Sequence, residues 1–171
     1  MLFSSKHFGF GQNFIKWIKI ISSRVNVNVF LSDSIVIQWG VRQGCPLSAL
    51  LYVLCIEGLA VNIRKCTDIK GDSLRNRTFE QKVTMYADDM NVAVRTEKSI
   101  YELFNLTKKY EMATNSKVNK DKTEALWLGK WVGRMDTPLD LKWTQDEVKF
   151  LGVYIGNDRK KSSLRSFEEI K

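Results

Sequence analysis

The sequence predicts an α+β fold in which strands and helices alternate. Apolar residues recur at helical spacing in several stretches. Between them, valines and isoleucines alternate with polar residues over four to six positions, as half-buried strands require. The links are short, and there is no internal repeat or low-complexity segment. A length of 171 residues fits one domain with a real core. With 44% hydrophobic and 27% charged residues, the composition excludes intrinsic disorder.

Gln12 to Ser22 places Phe14, Ile15, Ile18 and Ile21 along one side and turns Lys16 and Lys19 outward, which predicts a helix. Val25, Val27 and Val29 alternate with Asn26 and Asn28 as a strand. Ser32-Asp33-Ser34 supplies turn chemistry, and Ile35-Val36-Ile37 returns as a second strand. Residues 40–44 form a loop. Pro46 falls near the start of the next helix, where its missing N–H costs nothing. That helix presents Leu47, Leu50, Leu51, Leu54 and Gly58 on one side and is apolar enough to be buried. Its longest apolar stretch, residues 47–60, is interrupted by Glu57 and reads as too short to span a bilayer.

Residues 68–81 are polar and contain glycine, a connecting region. Residues 82–94 then read as a hairpin: two β-prone runs flank Tyr86-Ala87-Asp88-Asp89. Ser99 and Glu102 make a capping box for a helix carrying Ile100, Leu103, Phe104 and Tyr110. Residues 123–129 predict a strand after a basic turn. Residues 130–143, with Pro138, read as irregular, and residues 150–155 as another strand closed by Gly156. Residues 157–171 form a charged tail in which Arg159, Lys160, Lys161 and Arg165 cluster.

Lys plus Arg outnumber acidic residues 27 to 19, a net charge of +8, which favours a polyanionic partner, nucleic acid first. Cys45, Cys55 and Cys66 contain no CxxC pair, which argues against a disulfide framework or zinc site and for a reducing compartment. His7 has no neighbouring ligands and reads as a structural or surface residue. No secretory signal is visible, so the chain reads as soluble and intracellular, nuclear or cytoplasmic.

Two carboxylates at a hairpin tip are held together and open to substrate. A hard divalent cation that must also hold phosphate oxygens needs that arrangement. On those four letters alone an ordinary acidic turn is the better reading, since Asp favours turns. Upstream, Gly44 in Gly40-Val41-Arg42-Gln43-Gly44-Cys45-Pro46-Leu47-Ser48 permits close backbone approach to a ligand, beside the donors of Arg42 and Gln43.

Together, the 40–48 segment and Tyr86-Ala87-Asp88-Asp89 resemble a reverse transcriptase, most nearly that of non-LTR (LINE-type) retrotransposons. Three more segments agree in order: Phe8-Gly9-Phe10-Gly11 with Phe14-Ile15-Lys16-Trp17-Ile18; Lys117-Val118-Asn119 with Lys122-Thr123-Glu124; and Phe150-Leu151-Gly152-Val153-Tyr154-Ile155-Gly156. The resemblance runs from about Phe8 to Gly156 and implies a polymerase palm-like antiparallel sheet on helices, incomplete at its N-terminal side.

The resemblance also implies the site. Asp88 matches the metal-binding aspartate and Asp89 its acidic neighbour, with two Mg2+ ions expected in the complete family site. Tyr86 matches the aromatic residue near the primer end. Gln43 and Gly44, with Arg42, match the loop approaching template and incoming nucleotide. Lys122 matches a lysine that neutralises or protonates the leaving pyrophosphate. Leu151 and Gly152 match the primer-positioning segment. For Lys122 the plain alternative is a surface lysine; for Leu151 it is core packing. The implied partners are an RNA template, a DNA primer and deoxynucleotides, without a membrane.

Three positions depart from the pattern: Ala49 replaces a proline, Trp39 an arginine and Asn115 a glycine. The family's other metal-binding aspartate precedes the Phe8 segment, yet residues 1–7 contain no acidic residue. The expectation is therefore a partial palm over 1–130, a connection with a primer-grip-like strand over 131–156, and the start of a thumb over 157–171. Such a chain is expected to be inactive alone, and the sheet edge left open is expected to limit its solubility. A non-catalytic relic, or a basic nucleic-acid-binding module, is the alternative.

Overall fold

A computed structural model describes residues 9–22, 26–28, 34–36, 46–73, 80–87 and 89–170. The architecture is α+β, as the periodicity predicts. The chain divides into two compact units, residues 1–110 and 111–171.

The first unit opens with helix α1, Gln12–Ser22, at the predicted boundaries. Gly11 accepts the first backbone bond from Ile15 at 3.2 Å, and Phe10 packs against Phe14 at 4.7 Å between ring centroids. Ile15 and Ile18 are buried, whereas Trp17 and Ile20 are exposed. Strands β1, Asn26–Asn28, and β2, Ser34–Val36, pair antiparallel in the register Val27↔Ile35.

Helix α2 runs over Pro46–Lys65. By length and composition it could cross a membrane, which corrects the expectation that its apolar stretch is too short. Here Leu59, Ala60 and Ile63 form the core cluster with Ile69 and Val83. Leu51 is buried too, but Leu50 is exposed, so the inward side differs from the predicted one. Burying a full aliphatic side chain contributes roughly 1.5–3 kcal/mol, so this cluster dominates the unit.

Strands β3, Val83–Tyr86, and β4, Asp89–Val92, form the predicted antiparallel hairpin. Met85, Met90 and Val92 pack on the core cluster. Helix α3 spans Glu97–Thr114 and adds Leu103, Leu106 and Tyr110 to the same core. It starts earlier than the Ser99–Glu102 capping box predicts. Thr96 is the cap: its hydroxyl accepts from the Ser99 N–H at 3.3 Å. Ser99 is fully buried, its hydroxyl donating to the Asp68 carbonyl at 3.1 Å and accepting from the Lys70 N–H at 2.9 Å. Asn115 closes α3 at φ +57°, a conformation asparagine accepts better than most residues, so its replacement of glycine is mild.

In the second unit, β5, Glu124–Leu126, pairs parallel with β6, Lys142–Thr144, a strand hidden inside the segment predicted to be irregular. The connection between them is filled by Trp127 stacked on Trp143 at 3.9 Å, and the Trp143 indole donates to the Pro138 carbonyl at 3.0 Å. The strand predicted over 150–155 is instead a hairpin of β7, Glu147–Phe150, and β8, Val153–Gly156. The charged tail forms helix α4, Arg159–Ile170. Asp158 caps it, accepting from the Lys160 and Lys161 N–H groups at 3.0 and 3.2 Å.

Candidate functional site: an acidic hairpin and its basic counterparts

The β3–β4 register sets Tyr86 opposite Asp89, so two residues, Ala87 and Asp88, connect the strands. Ala87 takes φ +52°, the left-handed turn conformation a two-residue hairpin demands and alanine adopts at a cost. Alternation along β3 buries Val83 and leaves Tyr86 68% exposed. Asp89 is exposed, and its carboxylate has no hydrogen-bond or ion-pair partner among the described residues. An open, unpaired carboxylate is an oxygen donor available to a hard cation. Asp88 lies outside the described residues, as do Arg42, Gln43 and Gly44. Among the described residues no three His, Cys, Asp or Glu side chains gather into a metal site.

Of the predicted site residues, the structure brings together Tyr86 and Asp89. The others it describes belong to the second unit. Lys122 ends a 3-10 turn, Lys120–Lys122, capped by Asn119, whose side chain accepts from the Lys122 N–H at 3.1 Å. The Lys122 side chain is exposed and, among the described residues, has no partner. Leu151 and Gly152 connect β7 to β8 with φ +49° and +81°. Leu151 is 48% exposed, so its reading as core packing is corrected: a turn residue with positive φ at a hairpin tip points away from a core.

Polar ties surround this second hairpin. Arg165 pairs with Glu147, and Lys149 with Glu169, which also accepts from the Tyr154 hydroxyl. The Lys149 ammonium, followed by the Tyr154 hydroxyl, holds the Glu169 carboxyl below the usual carboxylate range. Hydrogen bonding to Glu169 raises the Tyr154 phenol. Near α3, the Lys98 ammonium, 2.6 Å from Asp68, lowers that carboxyl in the same way. Of the four tail cations, Arg165 is engaged by Glu147 and lies 4.2 Å over the Tyr154 ring.

Sequence reasoning missed the residues beneath the acidic hairpin. Gln81 donates through its side chain to the Val83 carbonyl at 3.0 Å and reaches the Thr84 hydroxyl at 3.1 Å. Lys82 is buried. No sequence signal marks Lys82, because a lysine opening a strand ordinarily reads as exposed.

A family model described as reverse transcriptase (RNA-dependent DNA polymerase) matches residues 3–155. The Transposon TX1 uncharacterized 149 kDa protein of Xenopus laevis is 28% identical over 154 residues, covering 86% of this chain and 12% of that protein. The chain thus spans a small part of the curated relative it matches.

Proposed function

Since this chain belongs to the reverse transcriptase (RNA-dependent DNA polymerase) family, in its non-LTR retrotransposon branch, we propose that it is the hairpin-bearing palm segment of an enzyme extending a DNA primer on an RNA template. The family's chemistry is nucleotidyl transfer, generally metal-dependent, on nucleic acid and nucleotide partners. Asp88 and Asp89 would hold Mg2+, which when bound lowers the barrier to attack by the primer hydroxyl and stabilises the leaving oxygen. Tyr86, exposed beside Asp89, orients the primer end. Lys122 matches the lysine that meets the departing pyrophosphate in the family. Arg42, Gln43 and Gly44 approach the template and nucleotide, and Leu151 and Gly152 position the primer. The observation that carries this reading is the exposed, unpaired carboxylate of Asp89 opposite an exposed tyrosine on a two-residue hairpin.

By itself the chain binds without extending, because the hairpin supplies only part of the carboxylates that two ions require. The test combines Mn2+ binding, followed by its EPR signal, with primer extension on an RNA template in Mg2+. The expected result is weak Mn2+ binding that Asp88→Ala abolishes, hybrid binding whose affinity falls steeply with salt, and no extension. Extension lost in Asp88→Ala would overturn the inactivity and keep the polymerase reading. Hybrid binding without any Mn2+ response would favour the second reading, a basic nucleic-acid-binding module, to which the net charge of +8 points.

A further inference from the structure

The base of the acidic hairpin is secured by a buried cation. Lys82 is 8% exposed, and lysine is almost never buried without partners. Its ammonium donates to the Cys66 carbonyl at 2.7 Å and the Arg64 carbonyl at 3.2 Å. These are carbonyls at the C-terminal end of α2, where intrahelical donors run out and the helix dipole favours a positive charge. Glu80 stands 3.4 Å from the same ammonium, and its other oxygen accepts from the Gly71 N–H at 2.7 Å. Meanwhile the Lys82 carbonyl accepts from the Ala93 N–H at 2.9 Å, extending the β3–β4 ladder by one step. Gly71 leaves room for the clasp: a Cβ there would stand 2.7 Å from Lys82 Cγ and collide with the Gln81 carbonyl.

The lever arm gives the clasp its importance. Tyr86, opposite Asp89, lies four residues along β3 from Lys82, roughly 13 Å at about 3.3 Å per residue. A tilt of about 10° at the base would carry the acidic end through about 2 Å, whereas catalytic groups must be held to about 0.5 Å. Val83 is the β3 residue buried in the core cluster and Met85 packs against it, but apolar packing is non-directional. Directional restraint at the base comes from the Gln81–Asp72 backbone bridge, 2.8 Å in each direction, and, from the side-chain layer, the Lys82 ammonium.

We propose that Lys82 is a positioning residue: by gripping the end of α2 with its side chain while its backbone pairs toward β4, it fixes the stance of the hairpin carboxylates. The proposal rests on the reading of the hairpin as a metal-binding element. Its test uses the full chain and follows two signals: amide exchange at Met85, Met90 and Val92, and Mn2+-induced line broadening at Tyr86 and Asp89. Lys82→Met should speed hairpin exchange about tenfold while α1 and the second unit change less than about twofold. It should also weaken the Mn2+ response. Because that variant strands the Glu80 charge, Lys82→Met with Glu80→Gln serves as the second variant: it should recover thermal stability but not the Mn2+ response. Lys82→Arg, which can still reach both carbonyls, should restore the response. Recovery of the Mn2+ response together with melting in the double variant, or no change in hairpin exchange with Lys82→Met, would overturn the proposal. If the wild type shows no Mn2+ response at Asp89, the metal reading fails instead, and the exchange comparison alone decides whether Lys82 sets the hairpin's stance.

Discussion

Hairpins β3–β4 and β7–β8 share a connection length and differ in what holds them. Both close with two residues, Ala87-Asp88 and Leu151-Gly152, and both begin the turn with a non-glycine residue at positive φ. Yet β3–β4 is seated on an apolar cluster and clasped by a buried lysine. In β7–β8 no residue is fully buried, and α4 is tied on by polar groups: two ion pairs, the buried Ser162 hydroxyl donating to the Glu147 carboxylate at 3.2 Å, and the buried Ser166 hydroxyl accepting from the Tyr154 N–H at 2.8 Å. The first hairpin adds apolar packing to its directional bonds. The second relies on polar ties, of which the exposed Lys149–Glu169 pair is the one that salt and pH loosen.

The largest break in this comparison is expected at the core. Ile63→Ala removes a fully buried side chain beneath β3 and should cost about 2–5 kcal/mol in urea unfolding. Hairpin β3–β4 should lose exchange protection and β7–β8 should not. Smaller and opposite in sign, Ala87→Gly and Leu151→Gly each relieve a left-handed residue. Each should raise stability by about 0.5–1 kcal/mol, the steric relief exceeding the added chain entropy. A loss at Ala87 with a gain at Leu151 would mean that the acidic turn is held open by its neighbours.

The smallest effect separates the hairpins by pH. Glu169, lowered by Lys149 and Tyr154, contributes stability above its unfolded value of about 4.3 and loses it as the pH falls through its lower folded value. Tyr154, raised by Glu169, contributes below about 10 and loses it as the pH rises through its higher folded value. Exchange of α4 amides should therefore be slowest between those limits. Glu169→Gln should flatten the profile, with β3–β4 amides indifferent to the change.

The helix Gln12–Ser22 was legible to the residue because its period is clean, and the acidic hairpin because its flanking runs alternate. Other elements were hidden for identifiable reasons. Alternation along residues 150–155 carries no information about φ, so a leucine in a turn passed for a strand residue. The cap of α3 was displaced because Thr96 works with Ser99, so no glutamate three residues on marked the true cap. Helix α4 was masked by its charge, though Asp158 ahead of Arg159 was a usable start signal. Of the expected site residues, Tyr86 and Asp89 in the first unit and Lys122 in the second are exposed. Lys82 was invisible, because its burial depends on a helix end that chain order does not place beside it.

The Trp127–Trp143 stack has a practical use. Two indoles at 3.9 Å couple their electronic transitions, so the pair should give a split circular-dichroism band in the near ultraviolet. The two rings flank opposite ends of the connection that closes the parallel β5–β6 pair, so the band exists only while that closure does. The second unit thereby carries its own optical gauge of folding, readable without a label while nucleic acid is titrated against the rest of the chain.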